Sequence, residues 1–215
     1  SKGLNTAFIT QLIILLCFVA TVLTSGFYQV EKNLVVGVVA FSLAIATIIC
    51  EIIYLFALKK ASLDCNDFLV AFKIEIASII FSLIGLILDA IPIKDALGKV
   101  AENISPTIDL VSRIFDIFVV YFVISACVKL LEKTGNKEYS KKGRKVFKIY
   151  EAAFILTLII EILADAIPEF YGNMSLVVAL VVTISSLAIV VLTIIYSILY
   201  LVFIKKTSNY LSKKA

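Results

Sequence analysis

The 215-residue sequence has no histidine, no tryptophan, three prolines and a single methionine, and only 17% of its residues are charged. Without histidine, no Ser or Cys nucleophile can draw on an imidazole base, and the commonest neutral metal ligand is missing. The four cysteines, Cys17, Cys50, Cys65 and Cys127, form no Cys-x-x-Cys pair, so neither a zinc motif nor a dithiol motif is expected. Gly-rich phosphate loops and nucleotide motifs are absent, and Gly-x-x-x-Gly, a common helix dimerisation signal in membranes, does not occur. Soluble domains carry roughly one quarter charged residues, so this composition excludes a soluble enzyme, a nucleic-acid binder and a disordered chain. No cofactor and no enzymatic activity are expected.

What the chain has instead is apolar length. Hydrophobic residues make up 61% of it, and the mean hydropathy is +1.07. A membrane-spanning helix needs about 20 mostly apolar residues. Six segments meet that need, near residues 6–27, 34–58, 69–92, 108–131, 147–167 and 175–204. No charge falls between Lys2 and Glu31, and none between Glu169 and Lys205. Lipid cannot satisfy open backbone groups, so spans this long are expected to be helical, and the lipid bilayer is the first partner.

Charge placement orients these spans, because basic residues are retained on the cytoplasmic side. With both termini inside, all but Lys32, Lys94, Lys99 and Arg113 of the 20 Lys and Arg residues fall on the inner side. The expected location is therefore a plasma or cytoplasmic membrane with cytoplasmic N- and C-termini. The basic run from Lys137 to Lys148 follows from topology alone, and attraction to anionic lipid headgroups is the alternative.

The chain also resembles itself. At an offset of 146, residues 4–60 match residues 150–206 without a gap at 19 of 57 positions, including Tyr54-Leu55 on Tyr200-Leu201 and Lys59-Lys60 on Lys205-Lys206. At an offset of 76, residues 75–92 match 151–168 at 8 of 18 positions, ending in Asp-Ala-Ile-Pro in both. The expected architecture is all-α: a single membrane domain over 1–215, with six transmembrane helices arranged as three tandem hairpins. The repeat units are approximately 4–66, 70–143 and 146–215. Parallel repeats of this kind place binding sites at repeat interfaces in known transporters.

Charged and polar residues inside spans are costly and usually face a bundle interior or a wet cavity. Glu75, Ser78, Ser82, Gly85 and Asp89 share one helical face, as do Asp109, Ser112, Arg113 and Asp116, and then Thr157, Glu161 and Asp165. Thr183, Ser186, Thr193 and Ser197 form a further stripe. Asp89, Asp109, Asp116, Glu161 and Asp165 set five acids against one base, Arg113, in the expected outer half. That surplus favours a bound cation or cationic solute, or a protonated carboxyl. Glu161 is the leading candidate, because its repeat equivalents are Leu15 and Gly85 and the fold does not demand an acid there. Glu51 and Tyr54 form a secondary candidate near the inner end of the second span.

Bland readings stand beside these. Arg113 pairs with Asp109 or Asp116 on its own helix, Asp89 and Asp165 are hydrated helix ends, Glu51 snorkels to the interface, and the hydroxyl stripes are packing glue. The functional expectation is a transporter or channel-like protein that binds a small solute or cation through intramembrane carboxylates. A non-enzymatic structural or regulatory subunit, whose polar stripes join another membrane protein, is the alternative. Residues 94–105 are expected to form a short amphipathic connector on the outer surface, and Asn103 and Asn173 begin sequons there.

Overall fold

A computed structural model describes residues 2–31, 34–90, 99–171 and 176–214. They form six helices: α1 (Lys2–Glu31), α2 (Leu34–Ala61), α3 (Asn66–Ala90), α4 (Lys99–Lys133), α5 (Lys137–Tyr171) and α6 (Leu176–Lys214). The six expected spans lie on these helices as far as the structure describes them. The last three helices overrun the apolar segments, α5 through the Lys- and Arg-rich stretch 137–146, whose long basic side chains are good helix formers. Among the described residues, four helices are long and apolar enough to cross a membrane: α1, α2, α4 and α6. In α3 the apolar run is broken by Asp67, Lys73 and Glu75, and α5 opens on a strongly basic turn.

Each helix packs on its chain neighbour, and α1 closes against α6, so the six form a ring; α4 also reaches α6. The most extensive contacts are α1 with α2, α3 with α4, and α5 with α6. The core lies toward the end that carries both termini and the turns at 62–65 and 134–136. There Leu58, Val123, Cys127, Leu131 and Ile204 are fully buried. Outward faces are apolar instead of polar: Phe41, Phe56, Leu16, Ile162 and Ile184 are all well exposed. In a soluble protein such continuous apolar surface would aggregate, whereas hydrocarbon accommodates it.

Local chemistry explains the turns. Gly135 adopts φ +83°, and its N–H and that of Asn136 donate to the carbonyls of Glu132 and Leu131, closing α4 with a Schellman motif. Asn136 then caps α5, its Oδ1 accepting the Tyr139 N–H at 3.1 Å. At the same end, Lys205 Nζ donates to Asn5 Oδ1 at 3.0 Å, tying α6 to the start of α1. Close approach is built in nearby: a Cβ on Gly3 would sit 2.8 Å from the Ala61 nitrogen and 2.9 Å from the Ala57 carbonyl oxygen. Small residues let helix backbones meet in this way within membranes.

Candidate functional site

A cavity of about 250 Å³ lies on the axis of the ring, and all six helices contribute to its wall. On α1 the contributing face is Gln11, Ile14, Leu15 and Phe18, which repeats at helical spacing. Three carboxylates meet at this cavity: Glu51 from α2, Glu75 from α3 and Asp116 from α4.

Register explains why they share a level. Asp67 near the start of α3 is bound by Ser125 Oγ at 2.7 Å and by Lys129 Nζ, which fixes α3 against antiparallel α4. Eight residues further along α3, Glu75 therefore stands roughly 12 Å deeper and beside the Asp116 turn of α4. The turn at 62–65 places Glu51 at a similar depth on α2, ten residues before Ala61 and so roughly 15 Å from that end.

The α3–α4 seam is polar. Ser78 Oγ donates to Asp116 Oδ1 at 2.8 Å and lies 3.0 Å from Ser112 Oγ, which in turn is 2.7 Å from Ser82 Oγ. Asp116 is thereby oriented while remaining exposed to the cavity. Glu75 is different: it is only 9% exposed, it lines the cavity, and no hydrogen bond joins it to another described residue. Beside the acids stand tyrosines. The hydroxyls of Tyr54 and Tyr200 are 3.2 Å apart, and Tyr150 packs edge-on against Tyr196 with ring centroids at 4.6 Å and near Tyr200 at 6.2 Å. One turn closer to the terminus-bearing end, Leu58, Ile204 and Cys127 are fully buried.

Of the residues singled out from sequence, the structure brings Asp116, Glu51 and Tyr54 to one cavity, together with Thr193 and Ser197 of the hydroxyl stripe. Arg113 sits one turn from Asp116, half-buried and engaged in an interaction of its own. The side chains of Asp89, Asp109, Glu161 and Asp165 lie outside the described residues, as do residues 91–98, the Asn103 side chain and Asn173. Glu75 was visible as a member of a polar stripe but not as a site residue. Tyr150 and Tyr200 carried no signal beyond the alignment of Tyr54 with Tyr200 at the 146-residue offset. Among the described residues, no group of three His, Cys, Asp or Glu is arranged to hold a metal ion. The chain matches no protein-family model, no curated protein and no solved structure.

Proposed function

We propose that the chain is a six-span integral membrane transporter that binds and moves a small cation through the axial cavity, with Glu51, Glu75 and Asp116 as the charged groups of the site. The observation that carries this reading is the convergence of three carboxylates, from three helices, on one cavity inside an otherwise apolar bundle. Intramembrane acids are expensive to keep, and a cation or a proton is what offsets their charge. The same reading makes α3 and α5 spans despite their charges, since each packs between helices that are long and apolar enough to cross. It makes the three tightly packed helix pairs the repeat units inferred from self-similarity. Both termini lie on the cytoplasmic side, as basic-residue placement requires.

In this reading, release toward the terminus-bearing end requires the buried contacts around Leu58, Ile204 and Cys127 to part. The protein has no catalytic role in this reading, and its energy source is an ion gradient or a partner. The test is charge movement on a solid-supported membrane bearing reconstituted protein, after concentration jumps of Na⁺, K⁺, Mg²⁺, primary amines and quaternary ammonium ions. The wild type is expected to give a transient current with at least one of them, and Glu75→Gln none. Currents that persist in Glu75→Gln, or none with any cation, would sink the reading.

A further inference from the structure

We infer that the ion taken by the axial cavity is a small organic ammonium, held between the ring of Tyr150 and the carboxylates of Glu51 and Glu75. This rests on the reading of the cavity as a cation site and names its substrate class. Three features of the wall point to it.

The first is Glu75, a carboxylate that is nine-tenths buried, lines the cavity and is hydrogen-bonded to no other described residue. A buried acid so placed needs a guest or a proton to offset its desolvation. The second is the nature of the remaining wall. Dehydrated metal ions want several oxygen ligands converging at about 2.0–2.6 Å. Here the acids come from separate helices, no described trio is spaced for a metal, and much of the wall is ring and aliphatic carbon such as Ile14, Val119 and Leu201. Carbon-rich walls with a few acids suit a cation that itself carries carbon. The third is the commitment of the tyrosines. Tyr54 and Tyr200 are nearly fully buried and pair their hydroxyls at 3.2 Å, so the ring left to face a guest is that of half-buried Tyr150 at the cavity wall. Aromatic faces attract ammonium groups through the ring quadrupole, most strongly where water is excluded.

Size narrows the class further. A cavity of about 250 Å³ falls just below the range of about 300–1,000 Å³ typical of sites for drug-sized molecules, so the guest is a compact amine. Gln11, Thr193 and Ser197 add acceptors for the N–H groups of a primary or secondary amine.

The experiment is isothermal titration and thermal shift on the detergent-purified full chain, with phenethylammonium and tetraethylammonium as probes against Na⁺, K⁺ and Mg²⁺ at matched ionic strength. At least one organic probe is expected to bind and raise Tm while the inorganic ions do neither. Tyr150→Leu is expected to weaken that binding about tenfold, and Tyr150→Phe, which keeps the ring, to leave it nearly unchanged. Glu75→Gln is expected to abolish it, with circular dichroism and size-exclusion profiles confirming that the variant is folded. If inorganic ions bind as well as the organic probes, or if Tyr150→Leu binds them like the wild type, the organic-ion inference falls while the cation reading survives. If no cation of either kind binds, or if folded Glu75→Gln binds like the wild type, both fall together.

Discussion

Tyr54 and Tyr200 stand 146 residues apart in the chain and 3.2 Å apart at their hydroxyls, both nearly fully buried. Neither hydroxyl has water to fall back on, so removing one leaves the other short of a partner, at a cost of about 1–3 kcal/mol. Removing both costs less than the sum. Tyr54→Phe and Tyr200→Phe are therefore each expected to destabilise the protein, and the double variant to show a coupling energy of about 1 kcal/mol in a denaturant-based double-mutant cycle. Gly143 sets a second constraint at this scale. A Cβ there would collide with Cζ of Phe203 and lie 2.8 Å from Phe203 Cε2 and Val128 Cγ2. Phe203 is 1% exposed and has nowhere to turn. Gly143→Ala is expected to cost about 1–3 kcal/mol by overpacking, despite the better helix propensity of alanine, and Gly143→Ala with Phe203→Leu to recover part of it in the same unfolding measurement.

Helices meet through register, and the α3–α4 pair shows how one ion pair sets it. Burial alone would raise the pKa of Asp67. Hydrogen bonds from Lys129 and Ser125, together with the Lys129 charge, outweigh that and hold it below the ordinary carboxylate range. A depressed folded pKa gives stability that is complete above the unfolded value of about 3.9 and lost as pH falls through the lower folded value. Wild-type Tm is accordingly expected to fall more steeply than that of Asp67→Asn as pH drops from about 5 to about 3, while the variant is less stable at neutral pH. This seam also shows what a sequence can and cannot disclose. Hydropathy reports where α3 and α4 run, and 3.6-residue spacing reports that Ser78, Ser82, Ser112 and Asp116 each lie on a polar face. Which polar faces meet depends on the antiparallel offset fixed by Asp67 with Ser125 and Lys129, a long-range contact with no local signature. Hence Glu75 reads from sequence only as the first member of the α3 polar stripe, and the register carries it to Asp116 and Glu51.

At the scale of the whole molecule, an even number of antiparallel helices brings both ends of the chain to one face of the ring. The Asn5–Lys205 hydrogen bond and the seat of Gly3 against Ala57 and Ala61 fix that face as the one bearing the 62–65 turn. The basic residues crowd there too: Lys2, Lys59, Lys60, Lys205 and Lys206 surround the termini. Lys137, Lys141, Lys145 and Lys148 lie exposed along one face of α5, while Lys142 and Arg144 are taken up by Glu138 and Glu132. The proposed orientation puts this face on the cytoplasmic side, where basic residues are retained during insertion. The cysteines make this testable without a tag. Cys17, Cys50 and Cys127 are buried, whereas Cys65 is half-exposed in the turn on the basic face, so a membrane-impermeant maleimide has one accessible native thiol. Inside-out vesicles are expected to label at one site per chain, lost in Cys65→Ser, and right-side-out vesicles to stay unlabelled. Cys65→Ser with Asn33→Cys, which moves the thiol to the connector between the first two spans, is expected to reverse that pattern. Labelling of Cys65 from outside would invert the orientation. Labelling of both positions from one side would remove a membrane crossing between them, and with it the proposed six-span arrangement on which the proposed cation path depends.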